Sequence, residues 1–323
     1  MPFCRNQEFT ERWNKRLKEL FNFYMQVNNM NDLKNMRALK LIIGFGIFAL
    51  IGNFLSPLNG MGAQNLVYVS EELGVAGNCN GLQALLNNYA GGTIILDRKC
   101  ELSNTLTIPK QTTLAGVGIF GNGLLQFMSL PTGSAAIRLE SLNGIGSTSH
   151  ITIRDLAIVG PSNVIGLNVS QSSLVHIQNV RITGFYVGIF GLNSNALIVD
   201  HSNISLNTYY NIIASQDTAN WRIRDNIINQ AGVGGVLIKN NPQSGHVIDG
   251  NVISSNQKYG INTYGRGTII THNRFQTSQG TNIRIDSTAE ETRISENYFN
   301  AGTIENNSLS TQCAHNIEEL LVC

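Results

Sequence analysis

Residues able to do chemistry recur at a fixed interval in this chain, in two sets. Lys239, Tyr264, Arg266, Arg284 and Asp286 stand near a short phrase, Gly or Asn followed by an aliphatic residue. That phrase appears as Gly166-Leu167, Gly188-Ile189, Asn211-Ile212, Gly235-Val236, Gly260-Ile261 and Asn282-Ile283. Taking a proton from carbon beside a carboxylate needs a base, and cations for the charge that develops. Lys239 or Tyr264 has the chemistry of the base, and Arg284 and Arg266 that of the cations. The second set, Asp200, His201, Asp225, Asp249 and His272, lies around a second phrase, with Asp155, Arg224 and Glu296 nearby. Hydrolysis by paired carboxylates needs two of them about 5–10 Å apart. Such carboxylates could also hold calcium, but no EF-hand loop and no Gly-Gly-x-Gly-x-Asp nonapeptide demands it.

The second phrase is what must position these groups. It begins Ile153-Arg154-Asp155-Leu156-Ala157-Ile158 and recurs from Ile177, Val199, Ile223, Ile248, Ile270 and Ile294. Successive starts lie 24, 22, 24, 25, 22 and 24 residues apart. Two phrases locked to one period specify a solenoid. Ile, Val, Thr and Phe in short runs bounded by Gly, Asn, Ser and Asp select strands. About 23 residues suffice for three short strands and three turns but not for the helix pairs of other repeat folds. At the corner, Asn226, Asn251, Asn273 and Asn297 are expected to take the left-handed backbone conformation and to stack as an amide ladder. Leu156, Val180 and Ser202 hold that corner in earlier rungs. Alternation along each Gly-Ile strand sends Asn168, Phe190, Ile213, Leu237, Asn262 and Arg284 outward in one column. Ser170, Leu192, Ser215, Lys239, Tyr264 and Asp286 form the next. Adjacent rungs lie about 4.8 Å apart, which brings Asp225 within carboxylate-pair range of Asp249.

This pattern resembles the right-handed parallel β-helix of the pectate-lyase-like superfamily. The upstream residues agree: Leu82 to Tyr89 as a short capping helix, Gly91-Gly92-Thr93 opening a strand, and Leu106 to Pro109 with Thr113 to Gly118 completing a rung. The likeness covers roughly residues 65 to 300. An acidic Asp-Asp-Thr run often precedes the capping helix in that family, whereas this chain has Gly77-Asn78-Cys79-Asn80. The resemblance implies an all-β coil acting on or holding an extended polysaccharide, as a lyase, hydrolase or epimerase. It implies that the strand flanked by the variable turns carries the groove, with Lys239, Tyr264, Arg266, Arg284 and Asp286 as its site. The plainer alternatives are a surface pair between Arg284 and Asp286 and a solvated corner that collects Asp, His and Arg. The polygalacturonase signatures are absent, and Gly245-His246-Val247 does not replace them. No nucleophile elbow, P-loop or dinucleotide fingerprint is present either.

Only 13% of residues are charged, against about 25% in ordinary domains. Residues 1–63 hold eight Lys/Arg and four Asp/Glu, and residues 64–323 hold 14 and 17. A mildly acidic body does not suit nucleic acid. Leu41–Leu55 is an apolar run preceded by Arg37 and Lys40 and followed by the small residues Gly60, Gly62 and Ala63. It suits the core of a secretory signal in residues 41–63, especially for a chain starting at Met36. The rival is an uncleaved membrane anchor with the basic leader 1–40 in the cytoplasm. Within that leader Trp13, Leu17, Leu20, Phe21 and Tyr24 share one helical face. Export makes two disulfides the expectation for Cys79, Cys100, Cys313 and Cys323. At least seven rungs separate the two ends, so only Cys79 with Cys100 and Cys313 with Cys323 fit one straight coil.

The expected molecule is therefore an exported β-helix over residues 64–300, closed by a cap at 301–323. Outward Phe190, Ile213 and Leu237 are odd on a solvated face and suggest a covering segment, a protein partner or a sugar-stacking strip. A non-catalytic solenoid for adhesion or spacing is the rival class, since no catalytic signature is present. No cofactor is expected.

Overall fold

The structure is a computed structural model that describes residues 66–73, 77–119, 122–139, 149–239, 245–276 and 280–317. The leader, the run Leu41–Leu55 and Cys323 lie outside the described residues. Among those described, no helix is long and apolar enough to cross a membrane.

Each turn of the chain contributes one strand to each of three parallel sheets, of 11, 10 and 9 strands. Sheet 1 runs from Leu66–Tyr68 to Gln312–Ala314, sheet 2 from Gly77–Asn78 to Tyr298–Phe299, and sheet 3 from Leu106–Ile108 to Thr303–Asn306. The repeat sets the register. All seven leading aliphatics of the second phrase fall in one sheet 1 column, continued upstream by Ile94 and Leu114 and downstream by Cys313. In sheet 2 the column runs Leu125, Ile158, Ile182, Ile204, Ile228, Ile253, Phe275 and Phe299. The last two rings stack with centroids 4.9 Å apart. In sheet 3 the inward column is Ile137, Leu167, Ile189, Ile212, Val236, Ile261, Ile283 and Ile304. Nearly all of these are completely buried, so identical columns from three sides fill the coil. The coil runs on past residue 300, where a cap was expected. Cys313-Ala314-His315-Asn316 is an eighth copy of the phrase, 19 residues after Ile294.

The corner between sheets 1 and 2 is built differently from the expectation. The left-handed residue is one position earlier than the Asn: Asp155, Asn179, His201, Asp225, Gly250, His272, Glu296 and His315 have φ between 50° and 66°. None of the corner asparagines has a positive φ. Their amides do the ladder work instead. The Asn226 N–H and Nδ2 both donate to Asn251 Oδ1 at 3.0 Å, and the same pair of bonds joins Asn251 to Asn273 and Asn273 to Asn297. The ladder starts at Ser202, whose N–H donates to Asn226 Oδ1, and ends at Asn316.

The opening of the coil is sealed by a short helix, Leu82–Asn88, that buries Leu82, Leu85 and Leu86. Its Gln83 side chain acts as a stand-in peptide for the edge of sheet 3. Gln83 Oε1 accepts from the Thr107 N–H at 2.7 Å, and Gln83 Nε2 donates to the Thr107 carbonyl at 3.0 Å. That satisfies a strand edge which would otherwise be free to pair with another chain. A buried Cys79–Cys100 disulfide, Cα atoms 5.3 Å apart, ties the segment before the helix to the first full coil. Cys313 at the other end is also disulfide-bonded. Cys79→Ser is expected to lower stability by about 3 kcal/mol, because a loop of this size loses much of its unfolded-state freedom when closed. Under reductant, which also opens the bond at Cys313, wild type and variant should share one midpoint in a denaturant titration. A midpoint unmoved by either change would show that the bond adds no constraint.

Candidate functional site

The candidate residues of sheet 3 stand on its outer face. Register places Asn168, Phe190, Ile213, Leu237, Asn262 and Arg284 in one outward column, as the alternation requires, with Arg138 before it and Glu305 after it. The expected solvent exposure is not found. Ile213 is 6% exposed, Leu237 7% and Asn262 3%. Ile213 and Leu237 belong to a second apolar cluster, distinct from the coil interior, with Val187, Tyr210 and Tyr259, against which Phe190, Tyr209 and Tyr264 pack.

The tyrosines come from the position two residues before the inward aliphatic. Tyr210 and Tyr259 stand there, and the rung between them has Gly234. A Cβ on Gly234 would lie 2.4 Å from the Tyr210 ring, so the missing side chain is what lets that ring lie across the next rung. The ring reaches towards Asn262, whose amide hydrogen-bonds the Tyr210 phenol. Burial pushes this phenol up to about 12; the Asn262 bond works the other way, and the neighbouring Tyr209, Tyr259 and Tyr264 add to the rise. At the far end Arg284 donates from Nη1 to the Tyr259 phenol at 3.3 Å, lies 5.6 Å from its ring centroid, and pairs through Nε with Glu305 at 3.3 Å. Tyr186 and Tyr209 stack at 5.1 Å on the corner leading into the sheet.

Of the residues expected here, the structure brings Tyr264 and Arg284 to this cluster and leaves Lys239 exposed at its edge. Arg266 instead pairs with Glu291 at 2.8 Å and Glu290 at 3.6 Å. Asp286 accepts from the Thr288 N–H and hydroxyl at 3.2 and 3.1 Å, so it caps its own turn and makes no pair with Arg284. Tyr210 and Tyr259 were missed. An aromatic just ahead of the Gly-Ile phrase was the available signal, but its reach over Gly234 depends on the rung that follows.

In the corner set Asp200 and Asp249 are held by imidazole and guanidinium groups. Asp200 is 2% exposed, gripped by His176 Nε2 at 2.9 Å and Arg224 Nη2 at 3.3 Å, with His201 Nδ1 at 3.6 Å. His176, its nearest partner, was not among the candidates. Asp249 accepts from His272 Nδ1 at 3.0 Å, and His272 Nε2 contacts Glu296. The bond to Asp249 is the largest of the influences that raise the His272 pKa. Asp225 takes the left-handed corner with its carboxylate against Gly250. Among the described residues no three His, Cys, Asp or Glu side chains are arranged to hold a metal ion. Asp155, Asp200, Asp249 and Glu296 at the corner are held in ion pairs, whereas sheet 3 offers an apolar and aromatic strip ending in an amide and a guanidinium.

Residues 143–275 match the family model described as right handed beta helix region. No curated protein sequence matches the chain. Among solved structures, the catalytic domain of Agl-KA is 18% identical, with a TM-score of 0.63 over 78% of this chain and 54% of its own. The Dettilon tailspike protein gp208 is 15% identical, with a TM-score of 0.58 over 73% and 50%. The catalytic domain of an alpha-1,3-glucanase in complex with tetrasaccharides is 15% identical, with a TM-score of 0.56 over 73% and 45%. The chain spans about half the length of each of these structures. Identities so low speak for the backbone alone. Sheet order, register and family match together make this chain a right-handed parallel β-helix protein.

Proposed function

We propose that this protein binds an extended polysaccharide along the outer face of sheet 3, with the sugar chain parallel to the coil axis. The observation that carries this is the apolar and aromatic strip itself, in which Phe190, Ile213 and Leu237 lead to Asn262 and Arg284 on successive rungs. Sugars present apolar C–H faces and hydroxyl edges, so tyrosine rings beside a few fixed polar groups match their surface. The glucanase likeness supports the same ligand class, since that structure holds tetrasaccharides. The Cys79–Cys100 disulfide supports a place outside the reducing cytoplasm.

Binding without turnover is the reading the local chemistry favours. Arg284, Glu305 and Asp286 each have a partner already, and burial keeps the Tyr210 phenol protonated, at about 12. Tyr264 and Lys239 remain as groups that could take a proton, so the test must read products as well as affinity. On a glycan array, and then by calorimetry on the hits, the wild type is expected to bind an extended oligosaccharide. Tyr264→Ala and Arg284→Ala should each weaken it about tenfold, equivalent to about 1.4 kcal/mol, while Asp225→Ala leaves it unchanged. Chromatography of the incubated ligand shows whether it is cleaved. Loss of binding in Asp225→Ala with the sheet 3 variants silent would move the site to the corner.

A further inference from the structure

We propose that this face selects a sugar carrying an N-acetyl group, seated with its amide N–H on Asn262 and its methyl on Leu237; the proposal rests on the glycan reading above. Asn262 is more than nine-tenths buried, yet its Oδ1 has no hydrogen-bond partner among the described residues. The Tyr210 phenol lies beside its amide, and the carbonyl oxygen is the buried group left without a partner. A buried acceptor left unpaired is costly, and a ligand donor placed on it recovers that cost. The neighbour one rung before Asn262 in the same column is Leu237, and the one before that is Ile213. The required ligand group therefore has a donor and an apolar end side by side, about one rung spacing apart.

An acetamido group has that shape. In a trans amide the N–H and the carbonyl point in opposite directions, so the acetyl methyl lies on the same side as the N–H. An N–H directed at Asn262 Oδ1 brings the methyl down beside it, over Leu237. A sugar hydroxyl at the same position could satisfy the oxygen but would leave the aliphatic neighbours without a contact. A protonated amine would place a charge over an apolar floor, which is unfavourable. Half-buried Tyr264 stands two residues on in the same outward row, so seating the acetamide on the solvent-closed Asn262 Oδ1 requires that ring to swing aside.

The test is calorimetry with three tetrasaccharides of one linkage: N-acetylated glucosamine, its de-N-acetylated form, and glucose. The N-acetylated ligand is expected to bind at least tenfold more tightly than either of the others. Asn262→Leu should abolish that preference, and Leu237→Ala should reduce it, with both variants first checked for an unchanged circular dichroism spectrum. Equal affinity for the three ligands, or a preference that survives in both variants, would overturn the N-acetyl assignment and leave glycan binding standing. Binding of none of them, together with no hit on the array, removes the underlying reading instead.

Discussion

Replacing Asn251 with leucine is expected to cost about 2–6 kcal/mol, a large share of the roughly 5–15 kcal/mol that holds a domain folded. The Asn251 side chain donates to the Ile223 carbonyl at 2.8 Å, the Asp249 carbonyl at 3.0 Å and Asn273 Oδ1 at 2.9 Å. Its own Oδ1 accepts from the N–H and the side chain of Asn226. Leucine has a similar branched outline but is larger and has none of these groups. The Asn226 N–H would lose its acceptor, while its side chain keeps the Val199 carbonyl, and the Ile223 carbonyl would lose the Asn251 donor, in a place where Asn251 itself is 0% exposed. Each buried group left unpaired costs about 1–3 kcal/mol, which sets the range. Asn316, half-buried at the last rung, accepts from Asn297 alone and donates to the Ile294 carbonyl, so Asn316→Leu should cost clearly less. Urea denaturation followed by circular dichroism measures both. Equal, small losses for the two variants would mean that the ladder is not what binds rung to rung.

The period told most of the fold because a parallel coil pairs each rung with its own repeat. Once Ile153, Ile177, Val199 and their successors are in step, sheet, register and inward face follow together. The corner was half legible. Asn251 and its neighbours were recognised as a ladder, but the left-handed residue is the one before them, and that shift explains the chemistry-like residues found there. Asp, Asn and His tolerate positive φ better than other side chains. Asp155, Asn179, His201, Asp225 and His272 therefore have a backbone reason to be polar that needs no catalysis. The candidate site on sheet 3 was legible as a column and illegible as a surface. Outward Ile213 and Leu237 follow from alternation. Their burial depends on tyrosine rings that start in the preceding corner and pass over a glycine one rung away, a relation between rungs that no single phrase contains. The eighth rung escaped notice for a simpler reason. Its leading position is Cys313 rather than Ile or Val, and its spacing is 19 residues.

Lowering the pH from 7 to 4 is expected to remove about 3 kcal/mol of stability through one residue, His246. Its side chain is 0% exposed, edge-on to Trp221 with ring centroids 6.4 Å apart, in the inward-facing row that leads into sheet 1. Burial pulls this imidazole down to about 4, although a hydrogen bond with the Thr218 backbone works in the other direction. Unfolded, the same group titrates near about 6.5. Between those two values the unfolded chain binds a proton that the folded chain refuses, so stability falls as the pH falls. The contribution is complete above about 6.5, is lost progressively below it, and levels off beneath about 4, with each pH unit of difference worth about 1.4 kcal/mol. His272 has the opposite sign. Its raised pKa contributes stability at low pH that disappears as the pH rises through that value, but it is a largely exposed side chain and its pairs are screened by solvent. His246→Gln keeps an amide donor for the Thr218 carbonyl and cannot titrate. Urea midpoints measured from pH 7 to 4 should fall steeply for the wild type and much less for this variant, the two curves converging in acid. Parallel curves across that range would mean that His246 accepts its proton in the folded coil as readily as in the unfolded chain.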